Sequence, residues 1–289
     1  MNNKVIIAIF IAAAALFSAC NESGDGFSKN SDGLSYKFIG EQKKGKSPKT
    51  GDVVEFSVKY FTSNDSLLYN SVDFIPKIKV PLMDTATDGL FQAALAMMSE
   101  GDSAHFLIPA KNFFTKTAHG SPIPPYIKEG DHLKFHLKLH RVLTQEEAQD
   151  EEIKLALQKK AEEEQMIKEY LSVENIDVAP TESGLYIISL EKGKGKKAEN
   201  EKTVEVHYTG TLLNGQKFDS SLDRNEPFSF KLGMGNVIKG WDEAVATMRV
   251  GDKIKVLIPS DLAYGPKGAG ATIPPFTPLL FEIKLLAVK

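Results

Sequence analysis

The chain contains itself twice, and that repeat limits what it can fold into more than any single motif does. Asp32-Gly33-Leu34 returns as Ser183-Gly184-Leu185, and Phe56-Ser57-Val58-Lys59-Tyr60 returns as Val204-Glu205-Val206-His207-Tyr208. Gly101-Asp102, Leu107-Ile108-Pro109 and Ile123-Pro124-Pro125 recur as Gly251-Asp252, Leu257-Ile258-Pro259 and Ile273-Pro274-Pro275, all at one offset of 150. A constant offset over such a span means two copies of one domain, not a solenoid of short units. The length of 289 residues lets each copy bury a core of its own.

Each copy alternates like a sheet. Val204, Val206 and Tyr208 fall on one face, with Glu205, His207 and Thr209 on the other. Asn214-Gly215 between apolar segments marks a hairpin turn. One helix is expected over about Gly240 to Arg249, with Asp242 and Glu243 at its N-terminal end, Ala244, Val245 and Met248 as its apolar stripe, and Gly251 as its stop. A last strand runs from about Leu279 to Val288. Many strands with one helix argue an α+β fold in which an antiparallel sheet wraps a short helix.

Between the copies, Thr144 to about Glu174 reads as a charged helix opened by a Thr144/Glu147 capping box. Ile153, Leu157, Ile167 and Leu171 could share a face, but Lys160 and Glu164 interrupt the seam and argue against a sustained coiled coil. A solvated spacer with docked ends is expected, and a dimerisation helix is the other reading. Fully helical, such a stretch reaches about 45 Å.

The N-terminus carries an address. Lys4 precedes an apolar run from Val5 to Phe17, too short to cross a bilayer, and Ser18-Ala19-Cys20 follows. Phe17-Ser18-Ala19-Cys20 resembles the lipobox of bacterial lipoproteins, which implies lipidation of Cys20 and attachment to the cell envelope, on the periplasmic side of the outer membrane. A plain cleaved signal with an incidental cysteine is the other reading. Asn21 to Asn30 then reads as a flexible tether.

Several chemistries are excluded. With 35 basic and 38 acidic residues the net charge is −3, with no basic face for nucleic acid. The single cysteine forms no disulfide framework or thiol metal site. His132, His136 and His140 look like a metal comb, but Leu133, Phe135, Leu137 and Leu139 alternate with them. On a strand, four residues span about 13 Å, too far for neighbouring ligands of one ion. Gly233-Met234-Gly235 lacks the βαβ setting of a dinucleotide loop, the Lys192–Lys197 run is a solvated loop, and no serine has a recognisable His and carboxylate partner. No cofactor or metal is expected. What stands out instead is an aromatic set with polar singletons between its members, the composition of a small-ligand pocket.

That set carries a family resemblance. Val206-His207-Tyr208-Thr209-Gly210, Lys217-Phe218-Asp219-Ser220-Ser221, Asp223-Arg224, Pro227-Phe228, Val237-Ile238-Lys239-Gly240-Trp241, Ala263-Tyr264-Gly265 and Ile273-Pro274-Pro275 together resemble an FKBP-type peptidyl-prolyl cis–trans isomerase domain over about residues 182 to 289. The resemblance implies an antiparallel sheet curled around a short helix. It also implies a pocket of Tyr208, Phe218, Asp219, Arg224, Phe228, Val237, Ile238, Trp241, Tyr264, Ile273 and Phe281. Ala269 and Thr272 stand where the best-known members carry larger side chains, which implies altered preference at the rim.

The implied roles are Trp241 as floor under a prolyl ring, Tyr208, Phe228, Val237, Ile238 and Phe281 as walls, Tyr264 as hydroxyl donor to a substrate carbonyl, and Asp219, held by Arg224 or Tyr208, orienting the twisted carbonyl. Implied partners are unfolded or partly folded proline-containing polypeptides and macrolides of the class that inhibits the family. A non-catalytic holdase or peptide-binding module is the alternative.

The first copy keeps Tyr60 for Tyr208 and Ile123 for Ile273. It has Tyr69 for Phe218, Asn70 for Asp219, Phe91 for Trp241 and Phe114 for Tyr264, with no counterpart of Arg224. A degenerate domain follows, with two readings open: an apolar groove for unfolded chains, or a structural spacer. The expected organisation is a lipoprotein signal over 1–19, a tether over 20–31, a degenerate FKBP-like domain over 32–143, a linker helix over 144–174 and the isomerase domain over 175–289.

Overall fold

A computed structural model describes residues 26–84, 90–118 and 122–289. The expected signal segment, Cys20 and the start of the tether lie outside the described residues. The chain divides into two compact units, residues 1–150 and 151–289.

The first unit comprises β1 (Ser28–Lys29), β2 (Ser35–Phe38), β3 (Val53–Phe61), β4 (Leu67–Asn70), β5 (Ile78–Pro81), α1 (Phe91–Ala96), β6 (Ser103–Pro109), α2 (Ala110–Asn112) and β7 (His132–Leu143). Its sheet runs β1-β2-β6-β7-β3-β4, with β5 also on β3, and every pairing is antiparallel. The end of the expected tether is thus a short strand. It forms because Asn30 accepts the amides of Asp32 (3.0 Å) and Leu34 (2.9 Å), turning the chain so that Ser28 meets Tyr36. On β7, Leu133, Phe135, Leu137 and Leu139 are buried and the histidines take the opposite face, as the alternation requires.

The helix α3 spans Gln145–Val173. Its capping box is complete: the Glu147 amide donates to Thr144 Oγ1 at 3.1 Å and the Thr144 amide to Glu147 Oε2 at 2.7 Å. The four expected seam residues part company. Ile153 and Leu157 are exposed, whereas Ile167 and Leu171 pack with Leu257, Leu280, Tyr170, Tyr186 and Leu213 of the second unit.

The second unit continues with β8 (Tyr186–Glu191), β9 (Thr203–Leu212), β10 (Lys217–Ser220), β11 (Phe228–Lys231), α4 (Lys239–Ala246), β12 (Lys253–Ile258) and β13 (Leu279–Val288). Its sheet order is β10-β9-β13-β12-β8 with β11 also on β9, all antiparallel. Element for element this repeats the first unit's β4-β3-β7-β6-β2 with β5 on β3, so the internal repeat is one topology used twice. The shared bulges correct the expected matches: the offset of 150 holds through β3 and β4, which puts Val58, not Tyr60, at the Tyr208 position and Tyr69, not Asn70, at the Asp219 position. The α4 helix ends three residues before the expected Arg249. Its last turn tightens as Thr247 and Met248 bond to the carbonyls of Ala244 and Val245, and the Met248 carbonyl then turns to the Ala198 amide (2.9 Å). Gly240 lies so close to β12 that a Cβ there would come within 2.5 Å of Ile258. That contact brings the first turn of α4, with Trp241, hard against the sheet.

Candidate active site

Two strands converge beside α4. The central strand β9 delivers Tyr208, inward by alternation, and β10 folds back across it. That fold is fixed by two buried serines which the sequence reading had not singled out. Ser221 Oγ accepts the Tyr208 amide at 2.8 Å, and Ser220 Oγ donates to the Tyr208 carbonyl at 3.0 Å. Their signal was their place directly after Phe218-Asp219. On the outer side of β9, His207 bonds Ser221 through Nδ1 at 3.0 Å, a structural contact. Gly210 has no room for a Cβ, which would sit 2.7 Å from the rings of both Phe218 and Phe281. Those rings meet edge to face at 5.5 Å over the glycine.

Trp241 sits at the centre. Tyr208 stands edge-on to its indole at 4.9 Å, Phe281 at 5.2 Å and Phe228 at 6.1 Å. The indole is 4% exposed, and among the described residues its Nε1 has no hydrogen-bond partner. Burial then grades outward. Tyr208, Ile273 and Phe281 are buried, Phe218, Val237 and Ile238 are half-buried, and Phe228 and Tyr264 reach 36% and 42% exposure. Ile238 precedes α4 in extended geometry and its carbonyl takes the Trp241 amide at 2.9 Å. Asp242 ties the preceding loop to the helix by accepting the amides of Gly233 (2.8 Å) and Gly235 (3.3 Å). Ile273 bridges back to Ala269, and Gly268, just before Ala269, holds φ +63°, where a Cβ would come within 2.3 Å of the Ile273 carbonyl.

A polar trio borders the rings. Tyr208 donates its hydroxyl to Asp219 Oδ2 in a short hydrogen bond, Arg224 Nη1 bonds Asp219 Oδ1 at 2.5 Å, and Arg224 Nη2 donates to the Tyr208 hydroxyl at 2.9 Å. Partial burial alone would raise the Asp219 carboxyl. The hydroxyl and the guanidinium outweigh it and hold Asp219 below the usual carboxylate range. Burial, then the neighbouring carboxylate, pushes the Tyr208 phenol up. The trio is therefore an anion held by an ordered phenol and a permanent cation at ordinary pH. No nucleophile stands beside a base in this set. Among the described residues no group of three or more His, Cys, Asp or Glu is placed to hold a metal ion.

The chain is similar to known proteins. Residues 194–286 match the family described as FKBP-type peptidyl-prolyl cis-trans isomerase. The FK506-binding protein of Neisseria meningitidis serogroup B is 54% identical over 105 residues, covering 36% of this chain and 96% of that protein. The peptidyl-prolyl cis-trans isomerase Fkbp12 of Drosophila melanogaster is 47% identical over 107 residues, covering 37% of this chain and 99% of that one. Among solved structures, FkpA from Escherichia coli shares 39% identity over 50% of this chain and 65% of its own, with a TM-score of 0.41. With 96% and 99% of two relatives matched at 47% identity or more, the chain belongs to the FKBP-type peptidyl-prolyl cis–trans isomerases.

Proposed function

We propose that the second domain isomerises Xaa-Pro bonds of exported polypeptides without forming any covalent bond to them. The observation that carries this reading is the Tyr208–Asp219–Arg224 trio seated beside a ring set built around Trp241. An Xaa-Pro amide is kept planar by resonance, with a barrier of roughly 18–20 kcal/mol. At the twisted transition state the resonance is lost, and with it part of the charge separation that water solvates. An aromatic, water-poor cup therefore favours the twisted amide over the planar one, and each tenfold gain needs only about 1.4 kcal/mol of that difference.

Trp241 is the floor under the prolyl ring, and Tyr208, Phe228, Val237, Ile238 and Phe281 are walls, with Phe218 and Ile273 completing the lining. Asp219, fixed on both sides, orients the twisted carbonyl, and Tyr264 donates to a neighbouring substrate carbonyl. Macrolides that fill FKBP pockets would compete for the same cup. The test is isomerisation of a Xaa-Pro peptide by wild type, Asp219→Ala and Tyr264→Phe. Losses in both variants are expected, and equal rates in all three would end this reading.

Cys20, as the lipidated first residue of the mature chain, would place this activity at the cell envelope, on the periplasmic side of the outer membrane. Cys20→Ser is expected to move the protein from the membrane fraction to the soluble one.

A second reading concerns the first domain. Phe56, Val58, Tyr60, Tyr69, Ile78, Phe91, Phe113 and Phe135 line a cavity of about 240 Å3 with scarcely a polar atom on its wall. It favours a holdase function for apolar segments, tested by suppression of aggregation of a proline-free client.

A further inference from the structure

The second unit contains a buried carboxylate from outside its sheet. Glu163, on α3, is 1% exposed. Its Oε1 accepts the backbone amide of Ser260, and its Oε2 accepts the Ser260 hydroxyl at 2.7 Å and Lys160 Nζ at 2.9 Å. Lys160 reaches on to Asp261 Oδ2 at 2.6 Å and to Ser260 Oγ at 3.3 Å. Burial alone would lower the Lys160 ammonium, but Asp261 and Glu163 outweigh it and raise it. An ionised carboxylate stays in an interior only where its acceptors are filled, and here three donors converge on it. One turn further along α3, Ile167 packs with Leu257 and Leu280, so this stretch of helix is held by charge and by apolar contact together.

The place that Glu163 holds is what gives the contact a function. Ser260 opens the tight turn Ser260–Leu262, and Pro259 before it offers no side-chain acceptor to the free amide. Glu163 supplies that acceptor from 97 residues earlier in the chain. The turn then closes through Leu262 to the Pro259 carbonyl (3.0 Å) and Ala263 to the Ser260 carbonyl (2.9 Å), and Tyr264 is the next residue.

We propose that Glu163 is a positioning residue for isomerisation: it fixes the start of the Ser260–Leu262 turn and through it the location of Tyr264. The proposal rests on the donor role given to Tyr264 above. Acting through the loop, Glu163 touches no substrate.

The test uses the full chain and a Xaa-Pro peptide, well below the melting temperature, on Glu163→Ala, Glu163→Gln, Tyr264→Phe and the Glu163→Ala/Tyr264→Phe double variant. Glu163→Ala is expected to lower kcat/KM about tenfold, the equivalent of about 1.4 kcal/mol. Glu163→Gln keeps an oxygen for the Ser260 amide and is expected to recover most of that loss. In the Tyr264→Phe background, Glu163→Ala is expected to add less than about twofold, because both changes act at one group. A Glu163→Ala protein that melts earlier but turns over at the wild-type rate, beside a slowed Tyr264→Phe, would overturn the positioning role alone. A full further tenfold loss in the double variant would overturn it too. Tyr264→Phe at the wild-type rate would instead remove the donor role itself, and the positioning role with it.

Discussion

The two domains share one strand order and differ in what fills the cup. In the second, Tyr208 ends in a hydroxyl committed to Asp219 and Arg224, and its ring stands edge-on to Trp241. In the first, Val58 takes the Tyr208 position, and Tyr60, two residues on, lies stacked on Tyr69 at 5.5 Å and packs against Phe113 and Phe135, both at 5.1 Å. The strand pairing puts Tyr69 at the Asp219 position and Asn70 at that of Ser220, and the Asn70 side chain is spent locally, accepting the Val72 amide at 3.3 Å and donating to Asp73 at 3.0 Å. Phe114 is buried where Tyr264 is 42% exposed. The sheet, the helix and an apolar cavity therefore survive without the trio. The difference separates what the fold needs from what the proposed chemistry needs.

That separation can be broken most severely at the two floors. Trp241→Ala and Phe91→Ala are each expected to cost their own domain ~3–5 kcal/mol, as large-to-small changes at buried aromatics do. Only Trp241→Ala should abolish isomerisation per folded molecule, which melting curves and peptide assays together will read. One step smaller are two changes, Asp219→Ala in the second domain and Asn70→Ala at the neighbouring position of the other domain. The first is expected to lower kcat/KM about tenfold or more, since a charge-assisted contact worth about 1.5–3 kcal/mol is lost. The second should leave the rate alone and cost the first domain about 1 kcal/mol through the lost turn cap.

Acid sharpens the contrast further. Asp219 sits below the ordinary carboxylate range, so its charge, and the stability it lends, is complete above the unfolded value of about 3.9 and is lost only as pH falls through the depressed folded value. Wild-type kcat/KM should therefore be flat from neutral pH down to about pH 5. Arg224→Met removes the guanidinium, so the acid limb should move upward by a pH titration of the rate. The smallest effect belongs to the first domain. Burial, then His136 and Lys37, push His105 down to about 4, with its ring stacked on His136 at 3.6 Å. The unfolded chain takes up that proton first, so stability should fall as pH drops from about 6.5 toward about 4. His105→Gln should flatten that part of the melting-temperature profile.

Much of this was legible in the sequence because the signals were periodic. Alternation at Val204, Val206 and Tyr208 placed the inner face of β9, and the repeat placed the domains' common topology. The rings of Tyr208, Phe218, Phe228, Trp241 and Phe281 meet one another, and Asp219 bonds both Tyr208 and Arg224. What stayed hidden depends on distant partners. Glu163 lies between Glu162 and Glu164 in a charged helix and reads as solvated, and only Ser260 reveals otherwise. His105 meets His136 because β6 and β7 pair in one register, which no local pattern encodes. The early end of α4 reflects the Met248 carbonyl turning to Ala198, again a long-range bond.

Trp241 is the only tryptophan in the chain, so its indole gives one assignable signal. Titrating a Xaa-Pro peptide into the full-length protein while following that indole N–H by NMR tests the central claim most directly. The account expects the resonance to shift with saturation that tracks catalysis, and Asp219→Ala to leave the shift while slowing exchange of the peptide. An indole that stays unmoved while the peptide is turned over at the full rate would contradict it.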